Sequence, residues 1–349
     1  LPAIDLTRFA GLPVRILAVK LSSFGDIIHV TGALRALRQA LPHAELTLAV
    51  EERWADVVRH NPNVDALIEC SSRDRLTFSY LAEVYGHLSK RPKFDVAIDF
   101  QGTRRSAVWV YLSGAPIQLG RGGLRPGWRF SLATDRTRHA VLNCAEVNRA
   151  AGLKVDNLDP EIYTSHTDEL RLDEILDAGR TPRSGFILFN PFSRWVAKSW
   201  PEQNTAAFIK VLKQAFDHPL ILTGGADDRE RAERLLQALP PQAIHSLAGR
   251  LPLGQALCLF RRARLMVSCD SGPMHAAAAF GVPVVALFGP THAEHTGPWG
   301  PNHTVVQALR PPEHSAYRND ARATYMGALD SDAVFQAVSA KLNAMRVPA

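Results

Sequence analysis

A chain of 349 residues with 46% hydrophobic and 21% charged side chains has an ordinary globular composition, long enough for two domains and for a core that needs no disulfides. Its cysteines (Cys70, Cys144, Cys258 and Cys269) show no C-x-x-C or zinc-like spacing, which reads as reduced, buried thiols in a cytosolic protein. The net charge is +6, and residues 101–140 alone hold seven arginines (104, 105, 121, 125, 129, 136, 138) against one acid, Asp135, a field suited to an anionic partner.

The opening "LPAIDLTRFAGLPV" lacks the continuous apolar segment of a secretion signal. The longest apolar stretch, 276–289, is too short and too broken by Gly and Pro to span a bilayer. The first half then alternates. "VRILAVKL" reads as a buried strand. A helix is expected from Asp26 to Leu41, because Ile27, Val30, Leu34, Leu37 and Leu41 recur at three- and four-residue steps. "AELTLAVEE" is the next strand, "RWADVVRHNP" a short helix and "VDALIEC" a third strand. "TFSYLAEVYGHLSKRP" is a helix and "FDVAIDFQG" a fourth strand. Such alternation with short connections predicts a parallel sheet with helices on both faces.

The stretch from Gly152 to Gly185 is poor in apolar periodicity and contains Pro160 and Pro182, so it is expected to connect domains. The second half alternates again. "FILFN" is a strand leading into "PFSRWVAKSW", and Pro201 opens a helix where its missing N–H costs nothing. "PLILTGG", "LMVSCD" and "PVVALFGP" read as strands. "DDRERAERLLQAL", "SGPMHAAAAFG" and "DSDAVFQAVSAKLNAM" read as helices. The expected architecture is α/β, with two Rossmann-like domains facing a cleft.

Ligands of open parallel sheets bind beyond the carboxyl ends of the strands, and three segments carry polar chemistry there. In "SSFGDIIH", Gly25 permits close backbone approach and Asp26 lies at the start of a helix. It serves either as a helix cap or as a proton acceptor, and the segment is neither G-x-G-x-x-G nor a Walker A motif. In "SCDSGPMHAAAAFG", Asp270, Ser271 and Gly272 lead into a helix whose N–H groups form an anion site, with His275 one turn in, as a ligand or as a core histidine. In "NPFSRWVAKSWPEQN", Ser193, Arg194 and Lys198 occupy a strand-to-helix loop, where a lysine can neutralise a diphosphate as a point charge. Asp227 and Asp228 read as caps, and no metal cluster is visible in the sequence.

Taken together, "ILAVKLSSFGDIIHVTGALRALRQALP", "FDVAIDFQG", "KSWPEQN", "ILTGGADD" and "VSCDSGPMHAAAAFGVPVVALFGPT" resemble the lipopolysaccharide heptosyltransferases, in that family's order, from about Val14 to Pro301. The nearest branch is similar to the first heptosyltransferase. The resemblance implies the two-domain GT-B glycosyltransferase fold and an inverting, metal-independent transfer from an ADP-heptose donor to Kdo on the lipid A core, with no cofactor. It implies Asp26 as general base. For the donor it implies Gly25, Ser193, Lys198, Asp270, Ser271, Gly272 and His275. The basic acceptor loop of the family is here the shorter, less basic "SSRDRL", which offers Arg73 and Arg75. Arg104, Arg105, Arg121, Arg125 and Arg129 are grouped with them as acceptor-binding candidates.

The expected domains are 1–165 for the acceptor, a linker at 166–184, 185–330 for the nucleotide sugar, and a final helix at 331–349 returning to the first domain. The expected partners are a nucleotide-sugar donor and an anionic glycolipid, with peripheral contact on the cytoplasmic face of the inner membrane and no nucleic acid. The competing readings are another glycosyltransferase or a sugar-nucleotide epimerase of the same fold, an exported two-lobed solute-binding protein, and a nucleic-acid binder. The last lacks any recognised motif.

Overall fold

The structure is a computed structural model and describes residues 4–72, 76–122, 130–132, 134–135, 137–240, 244–310 and 323–345. The chain divides into two units, the first ending at Tyr163 and the second beginning at Thr164.

The first unit is built from β1 (Arg15–Val19), α1 (Phe24–Ala40), β2 (Glu45–Glu51), β3 (Ala66–Cys70), α2 (Phe78–Ser89), β4 (Val96–Asp99), α3 (Arg104–Leu112), β5 (Ile117–Arg121), β6 (Phe130–Leu132) and α4 (Ala140–Ala150). Its strands pair in parallel in the order β3-β2-β1-β4-β5-β6. The central strands are buried from end to end because helices cover both faces, which is why "ILAV" and "VAI" read as unbroken apolar runs. Tyr80 and Trp109 fill the core on one side. The indole N–H donates to the Tyr80 hydroxyl at 2.9 Å, which donates in turn to the Arg105 carbonyl at 3.1 Å, so neither aromatic buries an unpaired polar end.

The second unit contains α5 (His166–Ala178), β7 (Ile187–Asn190), α6 (Glu202–Ala215), β8 (Leu220–Leu222), α7 (Arg229–Gln237), β9 (His245–Ser246), α8 (Leu253–Arg262), β10 (Leu265–Cys269), α9 (Gly272–Ala279), β11 (Val284–Phe288), α10 (Ala293–Thr296), β12 (His303–Gln307), α11 (Ala323–Gly327) and α12 (Ser331–Ala344). Its sheet is also parallel, in the order β12-β11-β10-β7-β8-β9. Read from β9, this is the strand order of the first unit. Each sheet therefore reverses direction of growth once, between β1 and β4 and between β7 and β10. Such a reversal leaves a crevice at the carboxyl ends of the two strands, the usual ligand position in open α/β sheets.

Several boundaries differ from the sequence reading. Helix α1 begins at Phe24 with Ser23 as its N-cap, and Pro201 is the N-cap of α6, not its first residue. The expected linker at 166–184 contains α5, whose Ser165 N-cap accepts from the Asp168 N–H at 3.0 Å. This helix packs on α8 within the second unit, where Glu169 accepts from Arg261 at 2.7 Å and also pairs with Arg262. Its acidic surface hid the narrow apolar stripe of Leu172 and Leu176. The final helix, expected to return to the first domain, is α12. It packs against α6, β11 and β12, with Val334, Val338 and Leu342 fully buried in the core of the second unit. The expected fourth strand ran to Gly102 but β4 ends at Asp99, and the rest of the basic stretch 101–140, to which the sequence reading assigned no element, carries α3, β5 and β6.

Among the described residues no helix is long and apolar enough to cross a membrane. All four cysteines are free and buried. Burial is the main reason that the thiols of Cys70, Cys258 and Cys269 are pushed up to about 12, so they are poor nucleophiles.

Candidate active site

At the reversal of the first sheet, β1 runs out into Lys20, Ser22 and Ser23. Asp26 is the third residue of α1 and closes a capping box with Ser23. Its Oδ2 accepts from the Ser23 N–H at 3.1 Å and from the Ser23 hydroxyl at 2.8 Å. Its Oδ1 faces the Lys20 ammonium at 3.6 Å. The Asp26 side chain keeps 44% exposure while Lys20 is buried to 4%. One carboxylate oxygen thus builds the helix start and the other stands beside a buried cation. Burial works against the charge on Asp26, but Lys20, His29 and the Ser23 hydrogen bonds outweigh it and hold the carboxyl well below its ordinary 3.8.

Across the reversal, Asp99 ends β4 fully buried. Its Oδ1 accepts from the N–H groups of Gln101 and Gly102 at 2.8 and 2.9 Å, and its Oδ2 accepts from the Ser106 hydroxyl at 2.8 Å. Burial is the dominant influence and pushes Asp99 up to about 6 despite those bonds. Gly102 takes φ +77° in this turn, and a side chain at Gly120 would meet the Asp99 Cβ at 2.6 Å, so both glycines let the chain wrap the carboxylate closely. Lys20, which also donates to the Phe100 carbonyl at 3.4 Å, lies between the two acids.

Lys20 escaped the sequence reading. The available signal was a charge placed directly after a buried strand. Replacing it with Met is expected to raise the Asp26 pKa, because the nearest cation is gone. If Asp26 acts as a base, the acid limb of the kcat/KM pH profile moves to higher pH. An unmoved limb would show that Asp26 does not govern it. The ionised Asp26 adds stability that is present above 3.8 and lost as pH falls through its lower folded value, so the variant should also lose part of this stability at neutral pH.

At the reversal of the second sheet the polar groups converge more tightly. The ammonium of Lys198 lies 2.7 Å from Asp270 Oδ2, and the Thr291 hydroxyl donates to the same oxygen at 2.6 Å. These three residues follow β7, β10 and β11, neighbours in the sheet. Asn190, the last residue of β7, donates to Ser271 Oγ at 2.9 Å. Ser271 is the N-cap of α9 but makes no side-chain cap, and its hydroxyl donates to the Cys269 carbonyl at 3.1 Å. Gly272 and Pro273 open α9, and the buried run Ala276–Ala278 keeps the helix thin against the sheet.

The loop that carries Lys198 is tied down at its base. The Trp200 N–H donates to the Pro191 carbonyl at 2.9 Å. The Ser193 N–H donates to Ser199 Oγ at 2.9 Å, which returns a bond to the Ser193 carbonyl at 3.2 Å. Trp200 is buried against Phe189 and Phe208 and donates its indole N–H to the Leu329 carbonyl at 3.0 Å. With the loop fixed, Lys198 sits over the Trp195 ring at 4.7 Å. The combination of a fixed cation, hydroxyls and a helix start is equipped to hold an anionic, multiply charged group.

The remaining candidates fall in different places. Gly25 is buried in the first turn of α1, in the first unit, and His275 is buried one turn into α9. Arg104 is exposed at the first position of α3, Arg105 is mostly buried and paired with Glu51, and Arg121 ends β5 half-buried. Arg73, Arg75, Arg125 and Arg129 lie outside the described residues. Asp228 is the N-cap of α7, and its carboxylate accepts from the Gly225 N–H at 2.9 Å. Among the described residues, no group of three or more His, Cys, Asp or Glu side chains is gathered as a metal site.

The sequence model of glycosyltransferase family 9 (heptosyltransferase) matches residues 87–325. Lipopolysaccharide heptosyltransferase 1 of Pseudomonas aeruginosa is 31% identical over 300 residues, covering 82% of each chain. The crystal structure of a family 9 glycosyl transferase from Veillonella parvula superposes with a TM-score of 0.86 at 25% identity, over 95% of this chain and 98% of that one. An Escherichia coli heptosyltransferase solved with ADP shares the fold, with a TM-score of 0.72 at 23% identity over 94% of this chain and 99% of its own. The architecture is that of the GT-B glycosyltransferases. With a family model spanning most of its length and a relative above 30% identity, the chain belongs to glycosyltransferase family 9, the heptosyltransferases.

Proposed function

We propose that this enzyme transfers L-glycero-D-manno-heptose from ADP-heptose to Kdo of a lipid A core acceptor, the first heptose addition, with inversion at the anomeric carbon. The observation that carries this reading is the convergence of Lys198 and Thr291 on the Asp270 carboxylate just before α9. That cluster suits the pyrophosphate of a nucleotide sugar. The relative at 31% identity is a heptosyltransferase 1, and ADP is the ligand of the E. coli structure of the same fold.

In this mechanism the second unit binds the donor and the first binds the acceptor. An acceptor hydroxyl oxygen attacks the anomeric carbon, and the bond from that carbon to the β-phosphate oxygen breaks. The hydroxyl proton passes to Asp26 Oδ1, the oxygen not engaged by Ser23. ADP departs with the electron pair. Lys198 and the N–H groups at the start of α9 stabilise the charge growing on the diphosphate, so no divalent cation is required. A single displacement inverts the centre. The low pKa of Asp26 keeps it ionised and ready throughout the neutral range, at the expense of basicity.

The acceptor is an anionic glycolipid, and the arginines of the first unit suit its carboxylate and phosphate groups. We place the enzyme peripherally on the cytoplasmic face of the inner membrane. Mass spectrometry of a reaction containing ADP-heptose and a Kdo-bearing lipid A, run with and without a chelator, tests the proposal. The expected result is a gain of one heptosyl unit in both. No gain with this pair, but turnover of another nucleotide sugar, would move the chain to a different donor or to epimerase chemistry.

A further inference from the structure

Glu51 ends β2 with its side chain fully buried, yet it is not spent on a single partner. Its Oε2 accepts from Arg53 Nε at 2.9 Å and Nη2 at 2.8 Å, and from the Ser72 hydroxyl at 3.2 Å. Its Oε1 accepts from Arg105 Nη2 at 3.0 Å. One arginine would neutralise a buried carboxylate. Two, drawn from different elements, leave a net positive charge held at the rim of the sheet.

The position of that charge is informative. Glu51 lies at the carboxyl end of β2, its N–H bonded to the Leu21 carbonyl at 3.0 Å, between the chain leading to Asp26 and the chain leaving β3 at Cys70. Arg53 lies 4.9 Å from the centre of the Trp54 ring, and Trp54 stacks on Phe24 at 5.7 Å with 5° between planes. Phe24 is the first residue of α1, two before Asp26. Arg105 is braced separately, 5.5 Å from the centre of the Tyr80 ring. Both guanidinium planes are therefore fixed by a ring and by a shared carboxylate, while the Arg53 side chain keeps 41% exposure. Each guanidinium offers five donors in a rigid fork, and Glu51 takes two from Arg53.

We propose that Glu51 is the positioning residue of a two-arginine clamp, Arg53 and Arg105, that binds an oxyanion of the acceptor: its sugar carboxylate or a lipid phosphate. The inference rests on the acceptor reading above and adds Glu51 and Arg53 to it. Orientation comes from Glu51, contact with the anion from the arginines.

The test uses the full chain with R53A, R53K and E51Q, each checked for folding by thermal melting. R53A keeps the fold accessible to the test should E51Q melt early, because the buried Glu51 retains Arg105 and Ser72 as partners. With Kdo-bearing lipid A, R53A and E51Q are expected to raise the acceptor KM about tenfold or more, as for loss of a charged hydrogen bond, with the donor KM and kcat within twofold. The salt dependence of the acceptor KM should weaken in R53A, which removes a cation, and should not weaken in E51Q, which removes none; a purely structural role would not split the two. R53K keeps the charge and loses the fork, so it should not restore the KM. Dephosphorylated acceptor separates the sources: an R53A effect that persists assigns the carboxylate, and one that vanishes assigns the phosphate. Calorimetric titration with free Kdo and with inorganic phosphate runs alongside. If the wild type transfers no heptose but binds either anion tenfold more tightly than R53A, the clamp stands and the acceptor reading falls. Unchanged acceptor KM in both R53A and E51Q with unchanged salt dependence in R53A, or in the absence of transfer no difference in anion binding, overturns the clamp.

Discussion

Replacing Asp26 with Asn is expected to lower kcat by about 10²–10⁴, the usual loss on removing a general base. This substitution separates the two duties of the residue. The cap uses Oδ2 as an acceptor from Ser23, and the amide oxygen of Asn can accept the same bonds. The helix start should therefore survive, the cap itself being worth about 1 kcal/mol, with a further loss of stability because the buried Lys20 is left without its carboxylate. Proton acceptance at Oδ1 has no substitute in the amide. A folded D26N enzyme with near-wild-type turnover would reduce Asp26 to a cap. A folded enzyme that binds donor normally and turns over slowly assigns it the proton.

The low pKa of Asp26 bears on the timing of that transfer. A carboxylate held below 3.8 is a weak base towards a sugar hydroxyl, whose proton becomes acidic only as its oxygen bonds to carbon. Proton transfer should then follow bond formation closely instead of preceding it. Lys20, the main cause of the depression, also keeps the acid ionised beside a second acid, Asp99, which burial pushes up to about 6. Two carboxyls at one sheet reversal are thus driven apart in pKa by one lysine and by depth.

Strands β1–β4, β7, β8, β10 and β11 and helices α1, α2, α6, α7, α9 and α12 are legible in the sequence, the strands because parallel strands buried on both faces read as unbroken apolar runs. The polar groups at the strand ends were equally legible in form. Lys20, Glu51, Asp99, Asn190 and Asp270 each end or directly follow such a run, and each is buried. Only Asp270 was singled out, because a glycine and a helix start follow it. Lys20 reaches Phe100 across 80 positions and Glu51 reaches Ser72 and Arg105 across 21 and 54, so no local spacing marks these two. Asp99 is held by Gln101, Gly102 and Ser106 close by, in a turn that carries no motif of its own. Arg105 met Glu51 across 54 positions, and that contact changes it from a surface charge to a braced one. Helices α3 and α5 were missed for a different reason. In α5 the charged side chains far outnumber the two, Leu172 and Leu176, that reach the core, whereas α3 is only nine residues long and opens on the paired arginines of a basic stretch.

Lys198→Ala is expected to cost about 10²–10³ in kcat, the loss typical of one stabiliser of transition-state charge. The effect should fall on kcat more than on donor KM, because the charge on the diphosphate grows as the bond to the anomeric carbon breaks. Lys198→Arg keeps the charge, but a planar fork does not fit a site built for a compact ammonium between Asp270 and the Trp195 ring, so partial recovery only is expected. Asp270 decides how the lysine is read. Its carboxylate draws the ammonium to 2.7 Å and is itself held by Thr291, so it fixes the cation at the start of α9. If Asp270 works through Lys198, the double variant K198A/D270N should be little worse than K198A alone, a strongly non-additive cycle. Additive losses would mean that Asp270 contacts the donor in its own right. Equal kcat in K198A and wild type, with donor KM alone raised, would confine Lys198 to ground-state binding and leave the growing charge to the helix start.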